Sequence, residues 1–211
     1  MNRIVKNYEE RRNEILDAAE SLFYSKGFEA CTVNDILKTV GIAKGTFYHY
    51  FPSKEAAMDG VIARNVDKII DRVQATIEKA AGDPNEKLMN AFLAMRVDDP
   101  AAHHMLEDMH QPANALLHQK SLKQLIQSLS PILADVVQEG IDQKIWRCSH
   151  PLQCMQIFLA AALSLTDEGI FEMDADSQTL IMIALIGTLE KMLGVPENEF
   201  LKQYSAHWAT E

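Results

Sequence analysis

The chain has little of what would mark it as secreted, membrane-bound or catalytic. It contains only three cysteines, Cys31, Cys148 and Cys154. The number is odd and no C-x-x-C occurs, so neither a disulfide framework nor a zinc module is indicated, and a reduced, cytoplasmic setting is expected. The first residues, MNRIVKNYEERRNEIL, hold no apolar core of the signal-peptide kind. The most apolar stretches, Met155–Leu165 and Leu180–Leu189, are shorter than the about 20 residues a bilayer requires, so no membrane partner is expected. There is no H-E-x-x-H, no triad signature and no loop that would cradle phosphate, so no enzyme activity and no cofactor are expected. Strand-like alternation, internal repeats and low-complexity segments are missing too.

What is present is helix after helix, which predicts an all-α fold. Ile15, Ala18, Ala19, Leu22 and Phe23 recur at helical spacing and form one apolar stripe on a first helix, which Lys26 and Gly27 end. Thr32 opens a short second helix, with Asp35 three residues on as its capping-box partner, and Gly41 breaks it. A third short helix is expected from about Ala43 to Tyr50, ended by Phe51-Pro52. Ser53 caps a long fourth helix that can reach Ala81. Beyond it, Pro and Gly mark the joints: a helix over Asn85–Met95, another opened by Asp98-Asp99-Pro100 and interrupted at Pro112, then Ser121–Leu129 and Pro131–Gln143 with Ser130 as cap between them. Pro151 opens a helix to about Thr166, and Ser177 caps a last one ending near Gly194.

The formal net charge of -10 argues, taken alone, against a polyanionic partner. The charge is unevenly spread, however. Residues 1–60 hold 8 Lys and Arg against 9 Asp and Glu, while the rest hold 12 against 21. The acidity belongs to the later part, and the first part is free to carry a local basic face.

Two short helices joined at a glycine meet the requirement of a helix-turn-helix, whose second helix offers its first turn to the major groove of DNA. The residues there are Lys44, Gly45, Thr46, Tyr48 and His49. Lys44 supplies charge, Gly45 lets the backbone approach, and Thr46, Tyr48 and His49 offer hydrogen bonds to phosphates or base edges. Phe47 and Phe51 lie one turn apart and are expected to pack inward. Arg11 and Arg12 read as a solvated face of the first helix.

These residues carry a resemblance. R-R-N-E-I-L-D-A-A-E-S-L-F, G-F, T-V-N-D-I and G-I-A-K-G-T-F-Y-H-Y-F-P-S-K-E, from about Glu9 to Asp67, resemble the DNA-binding domain of the TetR/AcrR transcriptional regulators. The resemblance implies a helix-turn-helix DNA-binding domain over residues 1–53, with its motif at about 32–51. A larger helical domain for ligand binding and dimerisation would follow over residues 54–211. It implies DNA contacts at Thr32, Lys44, Gly45, Thr46, Tyr48, His49 and Lys54. It also implies a double-stranded DNA operator, a small-molecule inducer and a homodimer, with repression relieved by the inducer as the expected function. Action through a protein partner, or response to a metal, are the alternatives. One departure stands out: the family often has Ser before the K-G pair, and this chain has Ala43, which cannot cap the third helix.

In the later part, I-F-L-A-A-A-L-S-L and L-I-M-I-A-L-I-G-T-L are apolar on more than one face, and a two-fold partner would cover the second face. Ten methionines suit a plastic apolar pocket and suit an ordinary core equally well. Phe92, Met95, Met105, Met109 and His110 are the candidate ligand-lining residues. His103, Glu107 and His110 share one helical face and form the candidate metal set, for which a plain polar face is the alternative reading.

Overall fold

The computed structural model describes residues 7–80, 82–95 and 107–202, and among these no strand occurs. The helices are α1 (Tyr8–Lys26), α2 (Val33–Val40), α3 (Lys44–Tyr50), α4 (Lys54–Lys79), α5 (Pro84–Ala94), α6 (Ala115–Asp142), α7 (Pro151–Leu165) and α8 (Ala175–Leu193), with a 3-10 turn at Pro112–Asn114 before α6. They form two compact units. One comprises Met1–Val66 with Asp99–Ser121, the other Asp67–Asp98 with Leu122–Glu211. The first unit takes in two separate stretches of chain.

In the first unit, local signals start and stop each helix. Asn7 and Glu10 close a capping box on α1, and Thr32 and Asp35 close another on α2. Both satisfy amide donors that the first helical turn leaves free. After α1, Gly27 takes φ +85° with ψ 144°, a positive φ outside the left-handed helical region. After α2, Gly41 takes the left-handed helical cap, at φ +72° and ψ 39°. Ile15, Leu16, Phe23, Ile36, Phe47 and Met58 are fully buried between these helices. Each contributes roughly 1.5–3 kcal/mol relative to exposure. Arg64 on α4 holds α1 through Asp17 and Glu20, at 2.6 and 2.7 Å.

The 3-10 turn belongs to this unit as well. Asn114 is 1% exposed. Its Oδ1 accepts from the Phe28 N–H at 2.9 Å, and its Nδ2 donates to the Asp108 carbonyl at 2.9 Å. Beside it, a Cβ at Gly27 would stand 2.5 Å from the Ala113 Cβ, so the loop after α1 can approach only as glycine.

The second unit is built on Leu88, Leu133, Val137, Met155, Leu159 and Leu189, all buried together. Trp146 is 2% exposed, donates from Nε1 to Asn85 Oδ1 at 3.0 Å, meets the Phe200 ring edge-on and lies directly against Gly140. Glu190 is buried, yet its two oxygens accept from the Asn198 and Phe200 N–H groups, both at 2.8 Å.

Two helix boundaries differ from the sequence reading. The expected break at Ser130-Pro131 is absent, and α6 runs unbroken with Pro131 inside it. The ring removes the N–H that would bond the Gln127 carbonyl, at a cost of about 3 kcal/mol. Leu129, Leu133, Val136 and Val137 on either side bury one continuous stripe in the core. At roughly 1.5–3 kcal/mol each, they outweigh it. Ser130 accordingly caps nothing, and its hydroxyl donates back to the Ile126 carbonyl. At the last helix the cap is Asp174, whose carboxylate accepts from the Ser177 N–H at 2.7 Å, so Ser177 lies inside the first turn.

Candidate nucleic-acid interface

The geometry of α3 divides its residues into an anchor and an outer face. Phe47 is fully buried, Phe51 is 4% exposed, and both pack with the α1 and α2 core as expected. Lys44, Gly45, Tyr48 and His49 are exposed, and Thr46 is half-buried. The Lys44 ammonium lies 5.9 Å from the centre of the Tyr48 ring, one helical turn on, so cation and phenol sit together. A Cβ at Gly45 would meet nothing within 4 Å, so the protein's own packing does not require glycine there. Ala43 makes no side-chain cap, as its chemistry dictates.

Thr32 and Lys54 are placed differently from the other expected DNA contacts. The Thr32 hydroxyl accepts from the Asp35 N–H at 3.2 Å and gives its proton to Asp35 Oδ2 at 2.7 Å. The same carboxylate takes the Lys26 ammonium at 2.7 Å. Lys26, then the Thr32 hydroxyl and amide, hold the Asp35 carboxyl well below the usual carboxylate range. The Lys54 ammonium donates to the Phe28 carbonyl at 2.7 Å and the Cys31 carbonyl at 2.9 Å, 4.1 Å from the centre of the Phe28 ring. Its Ser53 neighbour caps α4 by accepting from the Ala56 N–H at 3.1 Å. Lys54 thus ties α4 to the loop between α1 and α2, a role that no local pattern announces.

Tyr8 was missed in the sequence. At the start of α1 its ring lies 4.7 Å from that of Tyr50 and 6.1 Å, edge-on, from that of His49, so it buttresses the far end of α3. A contact across some forty residues leaves no trace in spacing. Arg12, read as solvated, lies over the Phe51 ring, and Arg11 pairs with Glu14 at 2.8 Å.

The candidate ligand residues are split between the units. Phe92 and Met95 belong to the second, where the Phe92 ring lies 5.0 Å from that of Phe158. Met109 and His110 belong to the first, where the His110 and His118 rings lie 5.1 Å apart. Met105, and His103 of the candidate metal set, lie outside the described residues. Glu107 of that set is exposed.

Residues 15–58 match the family described as bacterial regulatory proteins, tetR family, and residues 100–188 match the tetracyclin repressor-like C-terminal domain. Together these cover more than half of the chain. The HTH-type transcriptional repressor KstR2 of Mycobacterium tuberculosis is 34% identical over 94 residues, 44% of this chain and 46% of that protein. The chain thus spans less than half the length of this relative. Among solved structures, Salmonella enterica GusR is similar with a TM-score of 0.60 at 19% identity, covering 91% of this chain and 100% of that one. RolR in complex with resorcinol is similar with a TM-score of 0.60 at 18% identity, covering 91% of each chain. At such identities these two likenesses concern the fold alone.

Proposed function

Since the chain belongs to the tetR family of bacterial regulatory proteins, we propose that it is a ligand-responsive transcriptional repressor that binds an operator as a homodimer and releases it when an inducer binds. The observation that carries this reading is the outer face of α3. Lys44, Gly45, Tyr48 and His49 stand clear of the protein, while Phe47 and Phe51 fix the helix beneath them. The open space at Gly45 suits close approach of a phosphate backbone. Thr46 completes this set. Thr32, as the cap of α2, and Lys54, which ties α4 to the loop between α1 and α2, support it from behind.

A second copy of the chain is the partner that fits α7 and α8. Ile157 is 62% exposed, Leu180 67% and Ile183 44%, an apolar face that a monomer in water rarely presents. Gly187 on the same face has open space above it, which admits a close helix. The same surface on each subunit meeting about a two-fold axis would set two α3 helices for successive major grooves.

For the inducer, the expected class is a small, largely apolar molecule, and Phe92 and Met95 in the second unit are the residues offered for it. RolR, a protein of similar fold, is described in complex with resorcinol. An inducer works only through differential affinity for the state that cannot hold DNA.

The test is selection of bound sequences from random DNA, followed by binding of the selected site across a salt series. A pseudo-palindromic site is expected. Lys44→Ala should weaken binding almost uniformly across sequences and lower the salt slope by about 1. Equal affinity of Lys44→Ala and the unaltered chain at moderate salt would remove α3 from the interface.

A further inference from the structure

Cys148 and Cys154 flank the turn that leads into α7, and their sulfurs are 3.0 Å apart, closer than two non-bonded sulfurs normally rest. Both side chains are half-buried, whereas Cys31 is 1% exposed. The backbone on either side of the pair is held. Trp146 is locked between Gly140, Asn85 and Phe200. The Arg147 N–H donates to the Leu193 carbonyl at 2.8 Å, and the Cys154 N–H donates to the His150 carbonyl at 2.9 Å within the first turn of α7. The two sulfurs face each other because the fold puts them there, not because a flexible loop passes by. Among the described residues, no group of three or more His, Cys, Asp or Glu with ligand atoms close enough to share an ion includes either cysteine. A tetrahedral metal, which takes four ligands, therefore lacks half of its set.

We propose that Cys148 and Cys154 form a reversible redox pair, oxidised by hydrogen peroxide to an intrachain disulfide across the start of α7. One thiol, as thiolate, attacks a peroxide oxygen, the O–O bond breaks, and a sulfenic acid forms with release of water. The second sulfur then displaces the sulfenic oxygen as a second water. Two thiols lose two hydrogens and two electrons, and one peroxide becomes two waters. A dithiol reductant reverses the change by exchange. Burial, then the neighbouring Cys148 sulfur, pushes the Cys154 thiol up to about 11. The cross-link would close a six-residue span and fix the turn onto α7, one face of which carries the exposed Ile157.

The experiment uses the full reduced chain, treated with excess hydrogen peroxide and then freed of it. Thiols titrated in denaturant should fall from three to one. The mass should drop by two hydrogens, peptide mapping should join Cys148 to Cys154, and dithiothreitol should restore all three thiols. Cys31→Ser should lose both of its remaining thiols in the same way. Cys148→Ser and Cys154→Ser should not lose thiols as an intrachain pair, and oxygen should instead add to the sulfur left alone. Three surviving thiols, a link through Cys31, or disulfides found only between chains would each overturn the proposal.

Discussion

Replacing Asn114 with alanine tests whether the turn before α6 is an integral part of the first unit. In the folded chain Asn114 answers the N–H of Phe28, a residue only 3% exposed, and also reaches the Asp108 carbonyl. Truncation strands the buried amide, at about 1–3 kcal/mol, and removes a second, partly buried bond worth about 0.5–1.5 kcal/mol. The expected loss is roughly 2–4 kcal/mol, or about 2–4 °C in melting temperature for each kcal/mol in a chain of this size. Amide exchange localises the effect, since Phe28 should lose protection by a factor of about 30 or more while amides in α8 hardly change. Asn114→Asp separates the two bonds. It keeps an acceptor for Phe28 but sets a carboxylate oxygen against the Asp108 carbonyl. That buried carboxylate should titrate above its usual range, so the deficit should be largest at neutral pH and shrink as the pH falls and the group protonates. An Asn114→Ala chain within about 0.5 kcal/mol of the unaltered one, with Phe28 protection intact, would refute the reasoning.

Other outcomes follow from the same geometry. Gly140→Ala should lower the melting temperature: overlap with the locked Trp146 ring costs about 1–3 kcal/mol, against a helix-propensity gain of at most about 1 kcal/mol. A higher melting temperature would show that the ring can yield. Ile183→Asp should give folded monomers in sedimentation, because a buried unpaired charge costs about 3–5 kcal/mol and two-fold symmetry doubles it, about four to seven orders of magnitude in dimer affinity. An unchanged dimer would place the interface elsewhere. The depressed Asp35 carboxyl stabilises α2 above its unfolded value, and that contribution is lost as the pH falls below the ordinary carboxylate range. Asp35→Asn should flatten this acid limb, and an NMR midpoint for Asp35 at or above 3.8 would contradict the Lys26 pairing.

The parts of the fold legible in the sequence were those set by neighbours in the chain. The cap at Thr32, the stop at Gly41 and the inward pair Phe47 and Phe51 depend on residues within a turn of one another, and each stands where its spacing predicted. The misread points depend on partners far away. Pro131 has a local signature of a break, which distant core contacts override. The partners of Lys54, the Phe28 and Cys31 carbonyls, likewise lie more than twenty positions earlier and leave no local pattern. Leu180 and Leu185 occur in one apolar run and cannot be told apart by type, but one is 67% exposed and the other 7%. Asn114 carries no local signal, because its importance lies in an amide 86 positions earlier.

That last separation bears on how the protein is made. The helices up to Val66 can leave the ribosome and pack, but the Phe28 amide has no answering oxygen until Asn114 emerges. At about 5–20 residues per second, the chain needs roughly 3–10 s to add the stretch that ends at Ser121. During that interval the nascent helix-turn-helix exists without its closing piece. A gene fusion cut after residue 66 would make that unfinished state permanent, so residues 1–66 alone should melt below the same helices in the full chain.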